Sequence, residues 1–112
     1  MSDMRELIIY QKHYDLTLYA FPIINRFPKS QRFVLGQQLE TSLLQFGLLI
    51  IQANKLRQKR GKLIDADVEL EKMRYLVRLA KDLKFLSLNK YENLSQRLNE
   101  IGKLLGGWMK TG

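Results

Sequence analysis

Two groups of basic residues are the part of this sequence best suited to do chemistry. Five cations fall within positions 55 to 62: Lys55, Arg57, Lys59, Arg60 and Lys62. A second row recurs at i, i+4 and i+7, so that on a helix its members share one face: Arg74, Arg78 and Lys81. Fixed cations at such spacing bind phosphate groups or acidic proteins, and the alternative is a solvated charged surface. The sequence thus predicts a protein that binds a polyanion or an acidic partner.

Catalytic groups are scarce in the same sequence. It has no cysteine, which excludes a thiol nucleophile and a thiolate metal site, and His13 is its single histidine. Without a second histidine at ligand spacing, His13 is predicted to be a partly exposed packing residue. Gly102, Gly106 and Gly107 lack the preceding strand that a phosphate-binding loop requires. We therefore predict no enzymatic activity, no metal site and no cofactor.

Charge and length narrow the class of protein further. Nineteen Lys and Arg against eleven Asp and Glu give a net charge of +8, which favours nucleic acid, RNA or possibly DNA, as a partner. A chain of 112 residues predicts a single domain over residues 1–112. Its longest apolar stretches, such as 46–51, are much shorter than the roughly 20 residues of a membrane-spanning helix. We expect no membrane association and a cytoplasmic protein.

Apolar residues recur every three or four positions along most of the chain, which predicts four helices. The predicted first helix covers 5–27. The second begins after a Ser30 cap and runs to near Gly61, the third is capped by Asp65 or Asp67, and the fourth is capped by Asn89. Short connections at 28–30, 61–65 and 86–89 make sequential helices antiparallel neighbours. The predicted fold is all-α, an antiparallel up-down-up-down four-helix bundle.

Each predicted helix has a row of core residues, and two helices have apolar residues to spare. The predicted rows are Leu7, Tyr10, Tyr14, Leu18, Phe21 and Ile24; Leu35, Leu39, Leu43, Phe46, Ile50 and Ala53; Leu70, Met73, Leu76, Ala80 and Leu83; and Tyr91, Leu94, Leu98, Ile101, Leu105 and Trp108. The spare residues are Leu16, Tyr19, Ile23 and Phe27 on the first helix and Leu44, Leu48 and Ile51 on the second. Such residues indicate either self-association or a wide buried face. Trp108 either packs on the end of the bundle or offers an exposed platform for base stacking.

Three segments resemble the accessory variability determinant (Avd) proteins of diversity-generating retroelements. They are Ile9–Leu16 (IYQKHYDL), Phe27–Gly36 (FPKSQRFVLG) and Ile101–Trp108 (IGKLLGGW). The related intervening-sequence proteins of large ribosomal RNA share the helix layout and the Phe-Pro-Lys turn. Their second helix usually has a Ser-Ile-Pro-x-Asn-Ile-Ala-Glu-Gly motif, whereas here Leu43–Ile51 reads LLQFGLLII. The resemblance is therefore stronger to Avd.

The resemblance implies a pentameric, barrel-like ring of four-helix bundles that binds the reverse transcriptase of the retroelement and its template RNA. Met73-Arg74 and Arg78 match a Leu/Met-Arg-x-x-x-Arg pattern of the family, whereas Lys55–Lys62 matches it only in location and charge. Two alternatives remain at this point. One is a general nucleic-acid-binding bundle of the ribosomal intervening-sequence type, and the other is a helical adaptor for an acidic protein.

Overall fold

Four long helices make up most of the structure. A computed structural model describes the backbone of residues 4–111 and the side chains of residues 8–111. The long helices are α1 (Met4–Ile24), α2 (Gln37–Lys55), α3 (Arg60–Asp82) and α4 (Leu88–Thr111). A helical turn at Lys29–Gln31 and a π-helical segment at Arg32–Gly36 lead into α2. Residues 4–111 contain no β-strand, so the prediction of an all-α protein with four helices is confirmed.

The apolar residues of all four helices meet in one core. Every residue of the predicted α2 row is buried, and so is the α4 row apart from the half-buried Tyr91. On the polar side of the α1–α4 contact, the Lys12 ammonium lies 2.9 Å from the Glu100 carboxylate. Trp108 is only 2% exposed, so its packing interpretation is confirmed and the exposed stacking platform is wrong.

The core row predicted for α1 is wrong in part. Ile24 is buried as predicted, and Tyr10 and Phe21 are half-buried against the core. Tyr14 and Leu18 are 61% and 59% exposed, whereas the supposedly spare Leu16, Ile23 and Phe27 are buried. Helix α1 has apolar residues around most of its circumference, so periodicity alone admits two choices of inward face. The contacts of α1 with α4 and α2 select the face, and they leave Tyr14 and Leu18 on the outside. Leu7 lies outside the described side chains.

The predicted helix boundaries also need correction. Helix α2 ends at Lys55 rather than near Gly61, and Arg60 already begins α3. Asp65 and Asp67 lie exposed inside α3, because Leu63 and Ala66 are buried and bring an additional turn of helix onto the core.

The predicted helix caps differ as well. Pro28, not Ser30, precedes the helical turn that leads to α2, and it makes no side-chain cap. Ser87, not Asn89, caps α4, since its Oγ accepts a hydrogen bond from the Lys90 amide at 3.2 Å.

One described segment, Lys29–Lys55, is long and apolar enough to be considered as a membrane span by length and composition alone. The structure gives these apolar residues another role. Leu39, Leu43 and Phe46 are at most 3% exposed and form the centre of the core. Core packing therefore accounts for part of the apolar composition of this segment, and the remaining apolar residues lie on the surface.

Candidate nucleic-acid and partner interfaces

The connection between α2 and α3 holds the first group of cations, called here the basic connection: Lys55, Arg57, Lys59, Arg60 and Lys62. Lys55, Arg57 and Arg60 are exposed, and Lys62 is half-buried. Within the described part of the chain, none of these four lies within 4.0 Å of a carboxylate. Their charge is therefore available to an external anion.

Lys59 differs from the other cations of the basic connection. Its Nζ donates hydrogen bonds to the carbonyl oxygens of Ala53 at 3.0 Å, Asn54 at 3.3 Å and Leu56 at 2.8 Å. These carbonyls belong to the C-terminal end of α2, where the helix dipole favours a cation. Lys59 thus fixes the end of α2 and the shape of the connection that presents its neighbours.

The second group, called here the α3 basic row, consists of Arg74, Arg78 and Lys81. Each member has an acidic neighbour. Arg74 pairs with Glu71, the Arg78 Nε lies 3.9 Å from Asp82, and the Lys81 Nζ lies 3.2 Å from the same carboxylate. Three cations against two carboxylates leave a net positive charge, but a smaller one than at the basic connection.

Two members of the α3 basic row rest on α4. A Cβ atom added at Gly102 would lie 2.5 Å from the Arg74 Nη2, so the guanidinium occupies the space that this glycine leaves. The Arg74 Nε is buried there without a hydrogen-bond partner. Lys81 lies over the Tyr91 ring, 4.5 Å from its centroid. Arg78, with 74% of its side chain exposed, is the freest member of the row.

The two basic groups lie far apart on the molecule. Arg60 and Arg74 are fourteen residues apart on one helix, which corresponds to about 21 Å along its axis. A ligand group much smaller than this distance cannot contact both at once. The structure therefore offers two separate basic surfaces, as the sequence suggested.

Two exposed apolar surfaces flank α2. The first, called here the apolar groove, lies between α1 and α2 and includes Tyr14, Leu44, Leu48 and Ile51, each 47% to 61% exposed. The second, called here the α3 apolar row, consists of Ile64, Val68 and Tyr75, which are 42%, 55% and 69% exposed. The spare residues of the second predicted helix are thus exposed in the isolated chain, whereas the α3 apolar row was not anticipated.

His13 forms part of the wall of the apolar groove. Its Nε2–H donates to the Leu43 carbonyl at 2.8 Å, and its ring lies 5.3 Å from the Phe46 ring. A Cβ at Gly47 would come within 2.7 Å of the His13 ring, so the glycine permits this packing. Burial lowers the pKa of His13, and the hydrogen bond to Leu43 opposes that effect in part. In the described residues no group of three or more His, Cys, Asp or Glu side chains could hold a metal ion.

A further set of cations was not predicted from the sequence to form a site: Arg26, Lys29, Arg32, Lys84 and Lys90. They lie in two segments, 25–38 and 83–91, that contain no Asp or Glu. The absence of acidic residues was the available signal. The two segments are distant in sequence, however, and only the fold shows that they meet.

Comparison with known proteins places the chain in a family. The sequence pattern described as bAvd-like matches residues 7–112. A search of curated proteins found none that matches. Among solved structures, a protein of unknown function from the S23 ribosomal protein family of Bacteroides thetaiotaomicron superposes with a TM-score of 0.87. It is 22% identical, and the match covers 96% of this chain and 99% of that one, so this likeness shows the fold. Since the family match spans nearly the whole sequence, the chain belongs to the bAvd-like family.

Proposed function

We propose that this chain is a non-catalytic accessory protein of a diversity-generating retroelement, acting in the cytoplasm. It binds the reverse transcriptase and the template RNA through basic surfaces and supports mutagenic reverse transcription by holding the two together. Membership of the bAvd-like family supports the accessory role. The observation that carries the binding role is the basic connection, where Lys55, Arg57 and Arg60 are exposed without a carboxylate partner.

The proposed working form is a pentameric ring of antiparallel four-helix bundles. The pairings of Lys12 with Glu100 and of Tyr19 with Arg97 support an antiparallel α1 and α4, because position rises on one helix as it falls on the other. A ring requires each copy to present two different surfaces, one to each neighbour. The apolar groove and the α3 apolar row, on either side of α2, supply two such surfaces. The number five rests on the family resemblance.

A ring would turn weak contacts into firm binding. Each copy contributes the same exposed cations, so an RNA strand that spans several copies makes many phosphate contacts at once. Affinity then comes from the number of contacts and not from base recognition. The chain itself performs no chemistry in this mechanism.

The α3 basic row is the proposed contact with the reverse transcriptase. Arg78→Glu reverses the charge of its most exposed member without disturbing the Arg74 contact at Gly102, and it should abolish co-purification with the polymerase. Lys103→Glu on α4 is a matched control, since it makes the same charge change at another exposed site. Helicity and mass in solution should stay as in the wild type for both variants. Unchanged co-purification of Arg78→Glu would refute the assignment of this row.

The experiment also separates the proposal from its closest alternative. A general nucleic-acid-binding bundle of the ribosomal intervening-sequence type would bind RNA but would not co-purify with the polymerase. RNA binding without any polymerase association would therefore favour that alternative.

A further inference from the structure

We propose that the end of the bundle where α1 joins α2 and α3 joins α4 is a binding site for single-stranded nucleic acid, with Phe33 as its base-stacking residue. This surface, called here the Phe33 end, lies at the other end of α3 from the basic connection and adjoins the α3 basic row, whose Lys81 contacts Tyr91. The inference rests on the proposed function, because it gives one part of the RNA a place to bind.

The two connections form one surface. The rings of Phe27, in the first connection, and Phe85, in the second, lie 5.9 Å apart. Both residues are at least partly buried, so this contact ties the two connections together under the exposed residues around it. Arg26 and Lys90, one from each side, line the same shallow depression between α1 and α4. Residues far apart in sequence are therefore close enough here to contact one ligand.

The charge of this end selects an anionic ligand. Its five cations are Arg26, Lys29, Arg32, Lys84 and Lys90. Segments 25–38 and 83–91 contain no acidic residue, and within the described residues none of the five cations lies within 4.0 Å of a carboxylate. Lys84 is held at the tip of the second connection by a left-handed backbone with φ of 68°. The nearby Asp82 is already engaged by Arg78 and Lys81.

Phe33 indicates a narrower class of ligand than anions in general. It lies in the π-helical segment between Arg32 and Val34, and 73% of its surface is exposed. Within residues 8–111 no other large apolar residue exposes a larger fraction of its surface. An exposed aromatic ring at the same end of the bundle as several cations without carboxylate partners is a combination that binds single strands, because bases stack on the ring while cations contact the backbone. The bases of a duplex are already stacked on one another and are not available to such a ring.

The charge and the ring together favour a nucleic acid over an acidic protein. Cations alone would serve either ligand. The Phe33 ring is flat and has no hydrogen-bonding group of its own. It can therefore stack on the flat face of any base without contacting a particular base edge. The site should therefore tolerate different sequences and should accept single-stranded RNA or DNA, which share this chemistry.

Fluorescence anisotropy with a labelled, unstructured RNA tests the proposal. The RNA should have about 20 nucleotides, a length that spans one or more typical single-strand binding sites. Phe33→Ala should weaken binding roughly 5- to 150-fold, the range seen when a stacking residue is removed. Phe33→Leu should weaken it similarly, because leucine keeps apolar bulk but has no ring, and Phe33→Trp should retain it. Val34→Ala is the matched control on the same segment. It removes exposed apolar area without removing a ring, and its affinity should equal that of the wild type.

Two further ligands make the result decisive. Phe33→Ala should bind the fully paired duplex of the same sequence as the wild type does, and it should lose affinity for the corresponding single-stranded DNA as it does for RNA. Equal single-strand affinity of Phe33→Ala and the wild type would overturn the proposal while leaving the proposed function intact. Loss of affinity for a polyglutamate peptide but not for RNA would also overturn it, in favour of an acidic protein. If the wild type bound no RNA at all, the proposed function itself would fail.

Discussion

Neutralising the exposed cations of the basic connection should reduce the salt dependence of RNA binding. The change is Lys55→Gln, Arg57→Gln and Arg60→Gln together, with Lys59 left in place because its ammonium holds the end of α2. Each phosphate contact to a single strand contributes about 0.7 to the slope of log affinity against log salt. Three contacts contribute about 2 to that slope. For an RNA that contacts one copy, the wild type should therefore lose about 20-fold more affinity than the variant between 50 and 200 mM salt, and the difference should be larger for an RNA that spans several copies of the ring.

The matched control removes the same charge from the sides of the bundle. Lys12→Gln, Lys72→Gln and Lys103→Gln together also reduce the formal net charge by three, and two of these lysines pair with carboxylates in the wild type. Binding is measured as anisotropy of a labelled RNA at several salt concentrations, with mass in solution checked by light scattering. The control should keep the wild-type slope. Equal slopes for the two triple variants would refute the reasoning, because binding would then follow net charge and not the basic connection.

Three other substitutions test separate contacts. Gly102→Ala should displace the Arg74 guanidinium and so weaken co-purification with the polymerase. The free energy of unfolding, measured with denaturant, should stay within about 1 kcal/mol of the wild type, because alanine favours the helix. Lys59→Met should lower the free energy of unfolding by about 1 kcal/mol by removing the ammonium from the end of α2; an unchanged value would contradict that role. The pKa of His13 is lowered from 6.5 in the folded chain, so the unfolded chain binds the proton more readily, and the free energy of unfolding should be full above pH 6.5 and fall as the pH drops below it. His13→Gln should abolish this fall, as measured by denaturant unfolding at several pH values. A fall that persists in the variant would exclude His13 as its cause.

The rows of α2 and α4 show what the sequence could predict. Their apolar residues keep strict spacing of three or four, so Leu43, Phe46, Leu98 and Ile101 are buried as expected, and the apolar residues that α2 has off its row, such as Leu44, are exposed. Helix α1 has apolar residues at nearly all angles, and only contacts with its neighbours decide that Leu16 faces inward. Local spacing is enough for the first case and not for the second.

The candidate surfaces also differ in how far the sequence alone predicts them. The basic connection is a local cluster, so its location was predictable, but the task of Lys59 depends on where α2 ends. Arg74 rests against Gly102, twenty-eight positions away, and no periodicity relates the two. The Phe33 end joins segments about fifty residues apart, so that its charge becomes visible only after folding. Long-range placement of this kind requires the structure.

The mass of the chain in solution with its polymerase and RNA tests the central claim most directly. Light scattering during size-exclusion chromatography should give about 66 kDa for the chain alone, five times the 13.2 kDa of one copy, at all concentrations examined. With the retroelement's reverse transcriptase and template RNA added, all three should elute together as one larger particle. A chain that stays at 13.2 kDa and elutes apart from both would contradict the account.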